Sequence, residues 1–379
     1  MPSVSGVYAG RVFLSIMAMT ALLSCADEEP YRVGFSSTLS GTESSFGIDI
    51  RDGALLAVED LHAHADGTPI ELVIRDDRGD PDAALRNNRE FADMGIEVVI
   101  GHATSALATA VLPFLERNDM VFVGASISSP AFTGLDDALF RVATTSKVET
   151  AILARRLIEL RGPQTIAAIY DGSNLAYARP FYEDFKREYE RMGGRVADPV
   201  VYTVGSARYA ELVRRAVAAA PEAQGLFLIT NPIHSAALSQ VYRRAVPDGQ
   251  IVSSRWANNP DLILYGGGAV DGILFADMYD FRDRSERHTG FVARYRARFG
   301  STPSFVAMLS YETVLYISAA LHHRERDESL RSALARVRSI EGIQRTVRFD
   351  RYGDAIRPSY VTTVIDGSFT TLGWSSALQ

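Results

Sequence analysis

The chain has 379 residues, 47% of them hydrophobic and 22% charged, a composition that excludes disorder and low complexity. The formal net charge of -7 excludes a field suited to nucleic acid or to an anionic membrane surface. A chain this long divides into two lobes more readily than it enlarges one core. Lys147 and Lys186 are the only lysines, so nearly every cation is Arg. A coding bias accounts for that, and it carries no functional weight.

The first element is a leader. Arg11 supplies a weakly basic start, and residues 12–24 form an apolar and small-residue run. The run is too short for a bilayer span, which takes roughly 20 residues, but it suits the apolar segment of a signal peptide. It ends in Leu22-Leu23-Ser24-Cys25, which resembles the bacterial lipobox. That resemblance implies a lipoprotein signal peptide over residues 1–24 and a lipidated Cys25. Cys25 is the only cysteine, so no intrachain disulfide is possible. Residues 25–30, with Asp27-Glu28-Glu29-Pro30, read as a polar tether.

Strands then alternate with helices. Residues 31–36, 70–75, 96–100 and 120–123 read as strands, and residues 47–64, 81–94 and 105–118 as helices. In the first helix Ala54, Leu55, Val58 and Leu61 recur at helical spacing. The order restarts with strands at 165–170, 196–203, 225–229 and 251–254, and helices at 178–192, 207–220 and 235–245. Such alternation predicts parallel βαβ units and an α/β fold with two lobes of similar construction. The end differs: helices at 285–299, 304–323 and 330–338, then strands at 346–350, 360–365 and 369–372. Asp366-Gly367 is a hairpin turn between the last two. These late strands have no sequential partner, so they are expected to join an earlier lobe.

Catalytic motifs are incomplete. Gly124-Ala125-Ser126-Ile127-Ser128 lacks the last Gly of a nucleophile elbow. Gly266-Gly267-Gly268-Ala269-Val270-Asp271-Gly272 has Asp271 at the third Gly position of a dinucleotide fingerprint, and it precedes a strand. The pairs His62/His64 and His322/His323 lack metal-ligand spacing, and Asn87 stands where an EF-hand loop opening at Asp76 needs Glu. No cofactor is expected. What remains is a set of polar loops at the carboxyl ends of strands, where open α/β sheets bind ligands. They are Ser44-Ser45-Phe46-Gly47, Gly101-His102-Ala103-Thr104-Ser105, Ser126-Ile127-Ser128-Ser129-Pro130, Asp171-Gly172-Ser173-Asn174 and Asn231-Pro232-Ile233-His234. Hydroxyls and N–H groups at helix starts suit a carboxylate or another acceptor-rich small molecule. Helix capping explains any single one equally well; two lobes presenting such loops together favour a cleft.

Taken in order, these stretches resemble the type I periplasmic solute-binding proteins of the leucine/isoleucine/valine-binding class. The resemblance runs from about Tyr31 to Asp366. Its most specific stretches include Leu39-Ser40-Gly41, residues 72–81 and 99–105, Ser128-Ser129-Pro130 and Phe140-Arg141-Val142. It implies two Rossmann-like lobes, each on a central parallel sheet, joined by three crossovers. These fall near Arg141-Val142, Phe275-Ala276 and Phe349-Asp350. The first lobe would comprise residues 31–142 plus 276–348, and the second 143–275 plus 349–379. It implies a non-enzymatic receptor on the periplasmic face of the envelope, or on the cell surface of a single-membrane source. Its partners would be an ABC permease and ATPase, a small-molecule ligand and, through its lipid, the membrane.

The family's ligand residues carry over to Ser105 for the carboxylate, with Thr104 beside it. Ser126 and Ser128 follow on the next loop, and Phe46 is an aromatic wall. In the second lobe the family's Tyr aligns nearer Leu175, with Tyr177 two residues on, while Asn174 and His234 are expected from their polar loops and Trp256 from the loop after residues 251–254. The acid that pairs with an amino acid's ammonium would fall at Trp256-Ala257-Asn258, where there is no carboxylate. An unpaired buried ammonium is costly. A carboxylate, amide or aromatic acid therefore fits better, with Trp256 or Tyr177 as a stacking surface. The competing readings are an anchored sensor and an exported hydrolase using Ser126 or Ser105 with His102 or His234 as base.

Overall fold

A computed structural model describes residues 29–41, 44–64, 69–203, 205 and 208–375. The leader, Cys25 and most of the tether lie outside the described residues. The chain first builds β1 (Tyr31–Ser37), α1 (Ser44–His64), β2 (Ile70–Asp76), α2 (Pro81–Asp93), β3 (Val98–Gly101), α3 (Ser105–Arg117), β4 (Val121–Gly124) and β5 (Leu139–Arg141). Its strands make one parallel sheet, ordered β2-β1-β3-β4-β5. β3 and β4 are buried at every position, as strands covered by helices on both faces must be.

A second set follows: α4 (Ser146–Arg161), β6 (Thr165–Asp171), α5 (Leu175–Arg191), β7 (Arg195–Val196), β8 (Val200–Tyr202), α6 (Tyr209–Ala219), β9 (Gly225–Ile229), α7 (Pro232–Ala245), β10 (Gln250–Ser253), α8 (Pro260–Gly266) and β11 (Leu274–Asp277). Then come α9 (Glu286–Phe299), α10 (Phe305–His322), α11 (Leu330–Arg336), β12 (Ser339–Glu341), β13 (Thr346–Phe349), β14 (Ala355–Ile356), β15 (Ser359–Ile365) and β16 (Ser368–Ser375). The second sheet runs β16-β15-β11-β10-β9-β6-β7, with β8 also on β6. It is parallel up to β11, and β15 and β16 complete it antiparallel. The late strands thus join an earlier lobe through the pairing of β15 with β11, although, against the sequence expectation, each also has a sequential partner: β15 pairs with β16, and β13 with β12 and β14.

Each sheet separates two apolar cores. Val33, Phe35, Ile100 and Val123 of the first sheet meet α1, α9, α10 and α11 on one face. Val99 and Phe122 meet α2 and α3 on the other. The second sheet packs against α4 and α5 on one side and α6, α7 and α8 on the other. α10 is long and apolar enough to cross a membrane, yet 72% of it is buried inside the fold, where it packs along α1.

The chain passes between lobes three times, and the passages lie side by side. Thr144 N–H in the first donates to Met278 Sδ in the second at 3.5 Å. Arg357 in the third donates through Nη1 to Val142 O in the first at 3.2 Å and to Glu312 Oε2 at 2.6 Å. The third passage differs from the sequence expectation at Phe349-Asp350. Phe349 stacks on Tyr316 with ring centroids 4.0 Å apart and planes within 6°, inside the first lobe's core. The β12-β13-β14 sheet therefore stays with the first lobe, and the chain leaves only between Ile356 and Ser359. The second passage likewise follows Asp277, because β11 belongs wholly to the second sheet.

Candidate ligand-binding cleft

The loops that end the first sheet are tied to one another beneath the surface. Asp77 is fully buried and accepts from Thr38 Oγ1 and from Gly79 N–H, both at 3.0 Å. Its other oxygen lies 2.9 Å from His102 Nδ1. Asn88 Nδ2 lies 3.0 Å from His102 Nε2; with the amide donating there, Nδ1 carries the proton toward Asp77. His102 thus braces the loop after β3 against the turn after β2. Glycine is required at the start of that loop: Gly101 has φ of +129°, and a Cβ would stand 1.8 Å from Ser36 O.

Above this brace the hydroxyls gather. Thr104 caps α3, its Oγ1 accepting from Leu107 N–H at 3.3 Å. Ser126 Oγ donates to Ala103 O at 2.9 Å, locking the loop after β4 to the loop after β3. Ser105 and Ser128 are both buried. The second lobe answers with Asn174, whose Oδ1 accepts from Ala106 N–H at 3.2 Å across the gap. Four rings wall the space. Phe46 and Phe305 lie 6.0 Å apart on the first lobe, and Tyr177 and Trp256 meet edge-on at 6.1 Å on the second.

Two connected spaces result. An outer cleft of about 500 Å³ is lined by Thr38, Ser40, Thr104, Ser173, Asn174, Asn231 and Trp256 among others. An inner chamber of about 20 Å³ is lined by Phe46, Thr104, Ser105, Ser126, Ser128, Asn174, Tyr177, Arg255, Trp256 and Phe305. Eight of the nine ligand residues expected from the sequence therefore line one chamber. His234 does not. Its loop neighbours Asn231, Pro232 and Ile233 line the cleft, but its Nδ1 sits 2.7 Å from Tyr202 Oη and its ring packs beside Tyr202 and Tyr209. It is the third residue of α7, where its backbone N–H is capped by Asn231 Oδ1. Burial lowers its pKa, against the opposing pull of Asp171.

Sequence reasoning missed Arg255, which is 3% exposed and lines the inner chamber. Its Nη1 donates to Glu149 Oε1, and Glu149 is fully buried. Burial raises the Glu149 carboxyl to about 7, against the opposing pull of Arg255. Asp277, at the end of β11, is raised by burial to about 6. It accepts from Met278 N–H, Tyr279 N–H and Asn258 Nδ2. The signal for Arg255 was its place beside Trp256 at a strand's carboxyl end. Among the described residues no group of three or more His, Cys, Asp or Glu is placed to share a metal ion.

Two α/β lobes, three adjacent passages and a polar, ring-walled chamber between them define a bilobal solute-binding fold. The sequence matches the family described as "Periplasmic binding protein" over residues 30–368, and the chain belongs to that family, in the type I, branched-chain amino acid transporter class. The leucine-, isoleucine-, valine-, threonine- and alanine-binding protein of Pseudomonas aeruginosa is 20% identical, covering 85% of this chain and 86% of its own length. The Leu/Ile/Val-binding protein of Escherichia coli is 20% identical, covering 91% and 93%. Among solved structures, the leucine-binding protein of Thermotoga maritima aligns with a TM-score of 0.82 at 22% identity, covering 91% of this chain and 99% of its own. A solute-binding protein of Rhodopseudomonas palustris in complex with benzoate aligns with a TM-score of 0.82 at 16% identity, covering 91% and 96%.

Proposed function

We propose that the protein is the lipid-anchored, extracytoplasmic solute receptor of an ABC importer. It closes by hinge motion on a small amino-acid-like, carboxylate or amide ligand and delivers it to a permease and its ATPase. The observation that carries this reading is the inner chamber. It sets the hydroxyls of Ser105 and Ser128 and the ring of Phe46 on one lobe opposite Asn174, Tyr177 and Trp256 on the other. Groups from two lobes enclose a ligand only when the lobes come together, and such closure is the hinge type of conformational change. Relatives whose names record branched-chain amino acids, and one solved with benzoate, are consistent with a ligand of this size. Cys25 supports the anchor: Cys25→Ala is expected to release the protein from the membrane fraction.

The test is thermal melting of the purified protein against amino acids, amides, and aliphatic and aromatic carboxylates. A ligand at a hundredfold excess over its Kd stabilises the folded state by about 2.7 kcal/mol. Ser105→Ala is expected to abolish the shift that the best ligand gives. A panel without a single shift overturns the solute-receptor reading.

A further inference from the structure

We propose that Arg255 is the specificity-determining residue of the inner chamber: its free guanidinium edge takes an anionic group of the ligand, and so selects small carboxylates that lack an α-ammonium. This rests on the solute-receptor reading above and narrows it to one ligand class.

Arg255 follows β10, at the carboxyl end of the second sheet, where its side chain reaches the chamber. Only one of its terminal nitrogens is engaged. Nη1 is held by Glu149 Oε1, while Nη2 is buried and has no hydrogen-bond partner among the described residues. The guanidinium carbon lies 5.7 Å from the centre of the Phe305 ring, which also lines the chamber, within cation–π range. A buried donor left unmade is destabilising, and a planar guanidinium edge matches a carboxylate in shape and charge. The inner space of about 20 Å³ admits a polar head little larger than one water, and the outer cleft of about 500 Å³ takes the body.

The charges behind Arg255 set the selectivity. Glu149 in α4 and Asp277 at the end of β11 are fully buried, and neither lines the chamber. A ligand ammonium would meet the guanidinium first, with the acids behind it. Around Glu149 the ionisable neighbours are Arg255, Asp277 and Tyr177, and the second oxygen of Glu149 has no partner. An anion arriving at Arg255 adds negative charge beside this acid, whose carboxyl already titrates at about 7. The complex therefore binds a proton more readily than the free protein does, and carboxylate affinity rises as pH falls from 8 to 6. The ligand's own carboxyl stays ionised throughout that range. A ligand cation would give the opposite slope.

Calorimetric titration of the full-length protein with two matched series decides the matter: 4-methylpentanoate, 4-methylpentanamide and leucine; 3-phenylpropanoate, 3-phenylpropanamide and phenylalanine. The expected result is a Kd at least tenfold lower for a carboxylate than for its amide and its amino acid, tightening several-fold between pH 8 and pH 6. Glu149→Gln keeps an acceptor for Arg255 and is expected to flatten that pH slope while carboxylates still bind. The double variant Glu149→Gln/Arg255→Met is expected to lose the preference for carboxylate over amide. If it does not fold, the wild-type series alone decides. Leucine or phenylalanine binding as tightly as its deaminated analogue overturns the role of Arg255 and leaves the receptor reading standing. So does a thermal shift from a solute without an anionic group while all six probes fail. No shift from any solute in the broad panel overturns the receptor reading itself.

Discussion

Arg141 ends β5 where the chain first leaves the first lobe, and it is fully buried. Its Nε donates to Asp354 Oδ1 at 2.7 Å, Nη1 to Ser129 O at 3.0 Å and Nη2 to Thr133 Oγ1 at 3.1 Å. One side chain thus joins the chamber's loop after β4 to the turn before β14. Arg141→Met would strand Asp354 without its counter-ion, and breaking a buried pair in this way costs about 3–5 kcal/mol. Urea unfolding followed by circular dichroism should show that loss as a lower midpoint. A change under 1 kcal/mol would mean that water replaces the guanidinium. Legibility at this scale followed chain position. Ser105, Ser126 and Ser128 were visible because each stands just past an apolar strand, ahead of a helix or turn. Arg255 and Glu149 were not, since 106 positions separate them and only the fold pairs them. An Arg-rich background further hid Arg255. His234 stood equally well placed in sequence, but the cap that starts α7 turns its ring toward Tyr202.

At the scale of elements, close backbone approach decides how helices pack. A Cβ on Gly53 of α1 would stand 2.0 Å from Ala307 O of α10, a backbone atom that cannot swing aside. Gly53→Ala is therefore expected to destabilise by about 1–3 kcal/mol, as overpacking does. That outweighs the gain of up to about 1 kcal/mol that Ala brings to a helix interior. A differential scanning experiment should find a lower Tm; an unchanged or higher Tm would show that the two helices part freely. The strand–helix alternation that built both sheets was readable from periodicity. α4 was not, and the reason is physical. Its buried face includes Ser146, Glu149 and Thr150, which break the apolar stripe that marks a helix. The unread helix is the one that carries the partner of Arg255. The pairing of β15 with β11 also escaped prediction, because an antiparallel strand arriving 82 residues later leaves no local signal.

For the whole molecule, the proposed hinge closure would make affinity depend on the balance between open and closed lobes, and two bonds across the gap bear on it. Asn174 Oδ1 accepts from Ala106 N–H at 3.2 Å inside the cleft, and Asn259 Nδ2 donates to Asp49 Oδ2 at 3.0 Å. Asn259 is not among the residues lining either space, and its own Oδ1 caps α8 at Asp261 N–H. The Ala106 N–H is one of the first-turn donors of α3 that the helix itself cannot satisfy. When the lobes part, water takes it, so the bond to Asn174 contributes only its net value of about 0.5–1.5 kcal/mol. Asn174→Ala should therefore shift the free protein toward the open form by about two- to tenfold. Small-angle scattering should record a larger radius of gyration, and ligand Kd should rise by up to the same factor, since the apparent affinity scales with the closed fraction. Asn259→Ala should open the lobes likewise without touching the ligand. If Asn259→Ala weakens binding while Asn174→Ala tightens it, the ligand itself takes the Ala106 N–H and Asn174 stands in for it in the empty cleft. If neither variant changes scattering or Kd, closure is governed at the three passages, where Arg357, Val142, Thr144 and Met278 meet.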